Sequence, residues 1–139
     1  MDGRDFVRMV KHEAVDDTLR VTIKALESPR QLKPVPDSTD PIQIGIAEFY
    51  NKGALDEQRK AAFYRGLTDE QRKVFVEILQ DCVELSALSF CCLIDGVGGN
   101  WEGVFKVYAV DAREQRTLLN PENSDMLHDL LSEVCAEDR

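Results

Sequence analysis

Hydrophobic residues follow a helical period along much of this chain. Between Asp5 and Leu26 they recur at steps of three and four residues and charged residues fill the other positions, which predicts an amphipathic helix within residues 1–28. Three prolines follow within residues 29–40 and exclude a helix or a central strand there. This segment is predicted to be a Pro-rich arm, either a linker or an ordered segment.

Two short helices are predicted after the arm. Asp40-Pro41 has the form of an N-cap followed by proline at the first helical position, and the first short helix is expected to end near Asn51-Lys52-Gly53. The second is predicted from Leu55 to Tyr64. These two helices begin a predicted helical core that extends over residues 41–139.

The longest helix is predicted to start at Thr68, because Thr68 and Gln71 match a capping box. Residues 85–94 carry no charge, and a helix that is apolar on all sides must be covered on all sides, so we expect this half to be buried. The whole helix would span roughly 40 Å, longer than a small domain needs. A kink near Ser86 or Ser89, or burial by a second copy of the chain, would explain that length.

A β-hairpin is predicted at about residues 103–119, where β-branched and aromatic residues flank a turn. A last helix is predicted at about residues 123–136, after Asn120-Pro121, from its apolar stripe. The predicted fold class is α+β, mostly α: a single domain built around a long, central, buried helix, with a C-terminal hairpin and final helix.

Composition excludes several kinds of partner. The 139 residues carry a formal net charge of -9, with a pI near 4.7, so the summed field repels phosphate backbones and anionic membranes. No apolar run approaches the roughly 20 residues of a membrane-spanning helix, and no secretory leader is recognisable at the start. We therefore expect a cytoplasmic protein with no nucleic-acid or membrane partner and with free thiols at its four cysteines.

Asp95 is a candidate functional residue because it stands at the end of the long helix, where a carboxylate opposes the helix dipole and needs a partner. One interpretation is structural, with the side chain accepting hydrogen bonds from N–H groups of the glycine loop, Gly96-Val97-Gly98-Gly99. The other is a functional acid in a pocket with Asn100, Trp101 and Glu102. The structural interpretation is favoured, because short Asp side chains commonly bind local backbone in turns.

The last helix offers a second candidate surface, formed by Asp125, His128 and Asp129. Its polar face is strongly acidic and could bind a basic partner. His12 and Asp16 are spaced to share a face of the first helix, but zinc normally requires three or four convergent ligands. We predict no metal and no cofactor, and assign no catalytic residue.

Four short segments carry a resemblance: Leu67-Thr-Asp-Glu-Gln-Arg-Lys, Cys92-Leu-Ile-Asp-Gly-Val, Leu118-Leu-Asn, and Leu127-His-Asp-Leu. In this succession, with a short β-segment between, residues 45–136 resemble a family of small uncharacterised bacterial proteins whose long helix ends in an "LDGV"-type motif. The resemblance implies a bacterial cytosolic domain and no particular activity. The Pro-rich arm departs from that pattern.

The sequence is compatible with three hypotheses for the function. The first is a non-enzymatic protein-binding module, most concretely an immunity-like protein that neutralises a basic toxin through its acidic face. The second is a small ligand-binding domain or enzyme with its site in the loop from Asp95 to Glu102. The third is a structural homodimer, in which the apolar helix lies at the interface.

Overall fold

The computed structural model describes residues 1–37, 39–97 and 105–137. These residues form α1 (Gly3–Val10), a π-helical turn (Lys11–Asp16), α2 (Asp17–Glu27), α3 (Pro41–Gly66), α4 (Asp69–Ile94), β1 (Tyr108–Val110), β2 (Arg116–Leu118) and α5 (Leu127–Glu137). The predicted fold class, α+β and mostly α, is confirmed. None of the helices in the described ranges is long and apolar enough to cross a membrane.

Residue contacts group the chain into two compact units. Unit 1 comprises Met1–Leu19 with Ile78–Arg139, and unit 2 comprises Arg20–Glu77. Unit 1 has a continuous hydrophobic core in which side chains from α1, the π-turn, α4 and α5 pack together: Val7, Val15, Ala87, Cys91, Ile94, Leu127, Leu130, Leu131 and Val134. The prediction of a single domain stays a prediction.

The first predicted helix is present, but a π-turn interrupts it at Lys11–Asp16. Val7 and Val15 are both buried, at 0% and 1% exposure. In a continuous α-helix, eight steps of about 100° would rotate Val15 by about 80° from Val7, whereas seven steps bring it within about 20°. The wider turn absorbs one residue and keeps both valines on the core.

The prediction of two short helices after the arm is wrong, because α3 runs without a break from Pro41 to Gly66. Its N-cap is Asp40, as predicted: the carboxylate accepts a hydrogen bond from the N–H of Ile42 at 2.9 Å. Asn51 and Gly53, which suggested a helix end, lie inside the helix. There they hold the Pro-rich arm against it.

The arm is an ordered segment without regular secondary structure. The side-chain amide of Asn51 accepts a hydrogen bond from the N–H of Lys33 at 2.9 Å and donates one to the carbonyl of Lys33 at 2.8 Å. Arg30 Nε donates to Glu57 Oε1 at 2.7 Å. The charged groups of Arg30 and Lys33 both lie over the ring of Tyr50. A Cβ at Gly53 would come within 2.9 Å of the Arg30 guanidinium, so a glycine there leaves space for the arm.

α4 spans Asp69–Ile94 and begins with the predicted capping box. Gln71 N–H donates to Thr68 Oγ1 at 3.2 Å, and Thr68 N–H donates to the side chain of Gln71 at 2.9 Å. The expected burial of its uncharged half is wrong. Ala87, Cys91 and Ile94 are buried in the core of unit 1, but only one side of the helix faces that core, and other apolar side chains of this half are exposed.

The hairpin pairs β1 with β2 antiparallel, and Asp111 organises its turn by accepting hydrogen bonds from the N–H groups of Arg113 and Gln115. Asn120 stabilises its base: the side chain accepts from the N–H of Val107 and donates to the carbonyl of Phe105. The last helix starts at residue 127, later than predicted, because the preceding residues form a turn.

Candidate functional site

Asp95 directly follows the end of α4, and its side chain is 3% exposed. Its Oδ2 accepts a hydrogen bond from the backbone N–H of His128 at 3.0 Å and lies 2.9 Å from the ring Nδ1 of the same residue. The close contact with the carboxylate places a proton on Nδ1. Residues 33 positions apart in sequence therefore meet at the junction of two helices.

This junction explains why a carboxylate is tolerated at the end of α4. The position opposes the dipole of α4, but it lies at the N-terminus of α5, where free N–H groups favour a negative charge. Asp95 thus serves as a cap supplied from a distant part of the chain. In the described residues its carboxylate binds α5, whereas the structural interpretation placed it on N–H groups of the glycine loop, so the choice between a structural and a functional Asp95 stays a prediction.

His128 also lies near a second carboxylate. Its Nε2 is 3.4 Å from Asp129 Oδ1, so that one imidazole ring stands between Asp95 and Asp129. The ring is 19% exposed and the side chain of Asp129 is 65% exposed, so Nε2 is on the solvent side of the group. The described hydrogen bonds of this arrangement fix the start of α5.

Of the remaining predicted site residues, the structure describes Asp125 alone. Asp125 is exposed and precedes α5. Asn100, Trp101 and Glu102 lie outside the described residues. The predicted pocket that combines them with Asp95 therefore stays a prediction.

The acidic face of the last helix is partly neutralised within the chain. Arg4 of α1 lies 3.3 Å from the carboxylate of Glu133 and 2.9 Å from that of Glu137. These ion pairs fasten α1 to α5 across unit 1. They also reduce the negative potential that the sequence placed on this face.

The π-turn changes which acidic residue lies beside His12. Asp16 pairs with Lys11 at 2.9 Å, an i to i+5 spacing that a π-turn brings onto one face. His12 contacts Glu13 at 3.2 Å and has Asp17 nearby, whereas the sequence spacing had only allowed His12 and Asp16 to share a face of the helix. Potential ligand atoms of His12, Glu13 and Asp17 lie within 4.8 Å of one another, on an exposed surface.

A groove of about 350 Å³ lies between α4 and α5 in unit 1. Sequence reasoning missed it because its two walls come from separate helices. One signal was present, since four lining residues of α4 follow helical spacing and share one side. The described lining residues are Asp81, Glu84, Leu85, Leu88, Leu131, Ser132, Cys135 and Ala136.

α4 also exposes an uncharged surface, which we name the α4 apolar face. The exposed fractions of its large side chains are 54% for Ile78, 60% for Leu85, 55% for Phe90 and 49% for Leu93. Three smaller exposed residues of α4 lie among them: Cys82, Ser86 and Ser89. At about 100° per residue, all seven lie within an arc of about 140° on one side of the helix.

The four cysteines are free thiols in very different environments. Cys91 is buried in the core, and burial raises its pKa to about 11, with a smaller contribution from the charge of Asp95. A thiol with such a pKa is protonated and unreactive near neutral pH. Cys82, in contrast, is exposed on the α4 apolar face.

Comparison of the chain with protein-family models, curated proteins and solved structures gave no match. The resemblance to small bacterial proteins with an "LDGV"-type helix end therefore stays a prediction.

Proposed function

We propose that this protein is a non-enzymatic protein-binding module that associates with a second copy of itself through the α4 apolar face. The observation that carries the proposal is the exposure of Leu85, Phe90 and Leu93 on a stretch of α4 without charge. Proteins that act as monomers seldom expose a contiguous apolar patch of more than a few hundred Å². Burying the exposed half of such side chains contributes roughly 1 kcal/mol each.

The order of residues along this face supports a second copy as the partner. Ile78 lies four residues before Cys82 and Leu85 lies three residues after it. In an antiparallel pair of α4 helices related by a two-fold axis near Cys82, Ile78 of each copy would meet Leu85 of the other. Small side chains at Cys82 and Ser89 would allow the helices to approach closely.

The other hypotheses have less support. Arg4 already pairs with Glu133 and Glu137, which weakens the acidic face that an immunity-like protein would offer a basic toxin. Asp95 already accepts a hydrogen bond from His128, and it is not among the described lining residues of the groove in unit 1. That groove therefore does not support a catalytic site at Asp95. A cytoplasmic location is part of the proposal, and free thiols are compatible with a reducing compartment.

Light scattering behind a sizing column, at several protein concentrations, tests self-association. We expect the wild-type mass to approach twice 15.7 kDa as concentration rises. Cys82→Glu would place two carboxylates near the axis and should return the mass to that of one chain, whereas Cys82→Ala should not. Thr18→Glu, at an exposed position of α2, is the matched control for the added charge.

Oxidative crosslinking gives an independent reading of the same geometry. A mild oxidant should join two chains through Cys82, and Cys82→Ser should abolish the crosslinked band on a non-reducing gel. A mass of one chain at every concentration, together with no crosslink, would reject self-association through this face.

A further inference from the structure

Side chains of α3 bind the main chain of the Pro-rich arm at two positions. Asn51 accepts a hydrogen bond from the N–H of Lys33 at 2.9 Å and donates one to its carbonyl at 2.8 Å. Glu57 accepts from the N–H of Arg30 at 3.1 Å, and Gln58 donates to the carbonyl of Arg30 at 2.9 Å. Hydrogen bonds to the main chain give affinity for an extended peptide of any sequence. Nothing in these contacts requires that the bound segment belong to the same chain.

Side chains on the same surface select the charge of the bound segment. The Arg30 guanidinium lies 2.6 Å from the carboxylate of Glu57 and 5.2 Å from the ring centroid of Tyr50. The ammonium group of Lys33 lies 4.3 Å from the same centroid. A carboxylate and an aromatic face both attract cations. These side chains of α3, which we name the α3 peptide site, therefore fit an Arg-x-x-Lys segment: Tyr50, Asn51, Glu57 and Gln58.

An exposed apolar stripe continues from the α3 peptide site toward the start of α3. Ile46 lies one turn before Tyr50 on the same side of the helix, and Ile42 lies one turn before Ile46. The exposed fractions are 69% for Ile42, 61% for Ile46 and 82% for Phe49. The arm runs antiparallel to α3, because its arginine binds late in the site and its lysine binds earlier. Residues that follow the lysine of a bound segment therefore approach the stripe, which the arm itself leaves exposed.

We propose that the α3 peptide site binds an extended segment of a partner protein, in which Arg-x-x-Lys is followed by apolar residues. The segment displaces the arm, repeats its contacts and covers the stripe. A ligand shifts the equilibrium between bound and released arm only through the contacts that it adds. The arm of a second copy adds none, whereas apolar residues after the lysine add the burial of Ile46 and Phe49. The site shares no residue with the α4 apolar face, so the inference does not rest on the proposed self-association.

Titration of the ¹⁵N-labelled wild-type protein with two acetylated peptides tests the inference. The first, Pro-Arg-Gln-Leu-Lys-Leu-Val-Leu, is the sequence of residues 29–36 with leucine in place of the last two prolines. The second has serine at both cationic positions. The first peptide should produce saturable shifts in the amide signals of residues 42–58 and release the amide of Lys33. Its affinity should exceed that of the second by about tenfold, from one exposed ion pair and two cation–π contacts.

Variants of the arm and of the stripe separate the two steps of binding. Arg30→Ser combined with Lys33→Ser weakens the tethered competitor by the same contacts, so the first peptide should bind about tenfold tighter than to the wild type. Phe49→Ser should weaken binding to the wild type about fivefold by removing apolar burial. Leu55→Ser, which changes an exposed leucine on the opposite side of α3, is the matched control and should not. Equal affinities of the two peptides would overturn the proposal, and so would an arm variant that binds no tighter.

Light scattering on the Cys82→Glu variant tests whether a second copy supplies the segment, because this variant removes the proposed contact through α4. We expect the mass of one chain. A mass of two chains that is lost when Arg30→Ser and Lys33→Ser are added would assign the site to the arm of a second copy. That result would overturn the inference as stated.

Discussion

Removing the carboxylate of Asp95 should destabilise unit 1 more than any single surface change. Asp95→Ala deletes the acceptor of two hydrogen bonds to His128, in a side chain that is 3% exposed. The bond to the backbone N–H is a helix cap and contributes about 1 kcal/mol. The bond to the ring involves a charged acceptor and contributes about 1.5–3 kcal/mol. The expected loss in the free energy of unfolding is therefore about 3 kcal/mol.

His128→Ala divides this loss between the two bonds. It removes the ring but keeps the backbone N–H, so Asp95 can still cap α5. We expect a loss of about 2 kcal/mol, smaller than that of Asp95→Ala by roughly the contribution of the cap. In the double variant the ring bond is lost only once, so the two losses should not add, and the coupling energy should be about 1–2 kcal/mol.

Urea unfolding followed by far-ultraviolet circular dichroism measures these differences, provided that the slope of the transition stays constant among the variants. Asp95→Asn is the conservative control, since its amide oxygen can still accept from the N–H of α5. It should retain part of the stability that the alanine variant loses. The reasoning fails if Asp95→Ala is no less stable than His128→Ala, or if the two losses are additive.

Three further predictions concern other parts of the chain. Gly3→Ala should lower the free energy of unfolding in urea by about 1–3 kcal/mol, because the added Cβ would lie 2.6 Å from the carbonyl oxygen of Leu119. Gly45→Ala is the matched control: its Cβ would have no atom within 4 Å, so it should raise the free energy of unfolding by about 0.5–1 kcal/mol. In iodoacetamide labelling at a protein concentration too low for self-association, read by mass spectrometry, Cys82 should react first and Cys91 last, because Cys91 is buried and its pKa is about 11; equal rates would contradict its burial. The hydrogen bond from Arg30 lowers the pKa of Glu57, so this interaction stabilises the fold above the pKa that Glu57 has in the unfolded chain. The stabilisation is lost as the pH falls through the lower pKa that Glu57 has in the folded protein. Nuclear magnetic resonance of the arm's amide groups should show release over that acidic range, and Glu57→Gln should abolish this pH dependence.

Local patterns predicted the elements whose ends are encoded by neighbouring residues. The start of α4 was predictable because a capping box needs only Thr68 and Gln71, and the start of α3 because Asp40 caps the residue two positions on. Cap chemistry of this kind acts within one turn of a helix. It is therefore visible in the sequence without knowledge of the tertiary contacts.

Residues whose role depends on tertiary contacts were predicted wrongly, because their partners lie elsewhere in the sequence. Asn51 and Gly53 have the composition of a helix end, yet they bind and accommodate an arm that lies about 20 residues away in sequence. The uncharged half of α4 indicated burial on all sides, but hydrophobic pattern alone does not say whether the same chain supplies the cover.

The candidate site also combines residues that the sequence identifies with a geometry that only tertiary contacts determine. Asp95 and His128 were both identified as candidates, each from its own local context. Their pairing depends on how α5 docks against the end of α4, for which a single sequence contains no direct signal. The groove likewise arises from two helices, although the spacing of Asp81, Glu84 and Leu88 on α4 marked one of its walls.

The π-turn at Lys11–Asp16 implies a tolerance to change in chain length. Compared with a regular α-helix, the segment holds one extra residue, and this residue places Val7 and Val15 on the same side of the helix. The extra residue contributes no buried side chain of its own to the core. A chain lacking one exposed residue of this segment could continue as a regular α-helix with both valines still facing inward. Insertions and deletions of one residue would then interconvert two helix types at this point without repacking unit 1, so related proteins can differ in length here and share the same core.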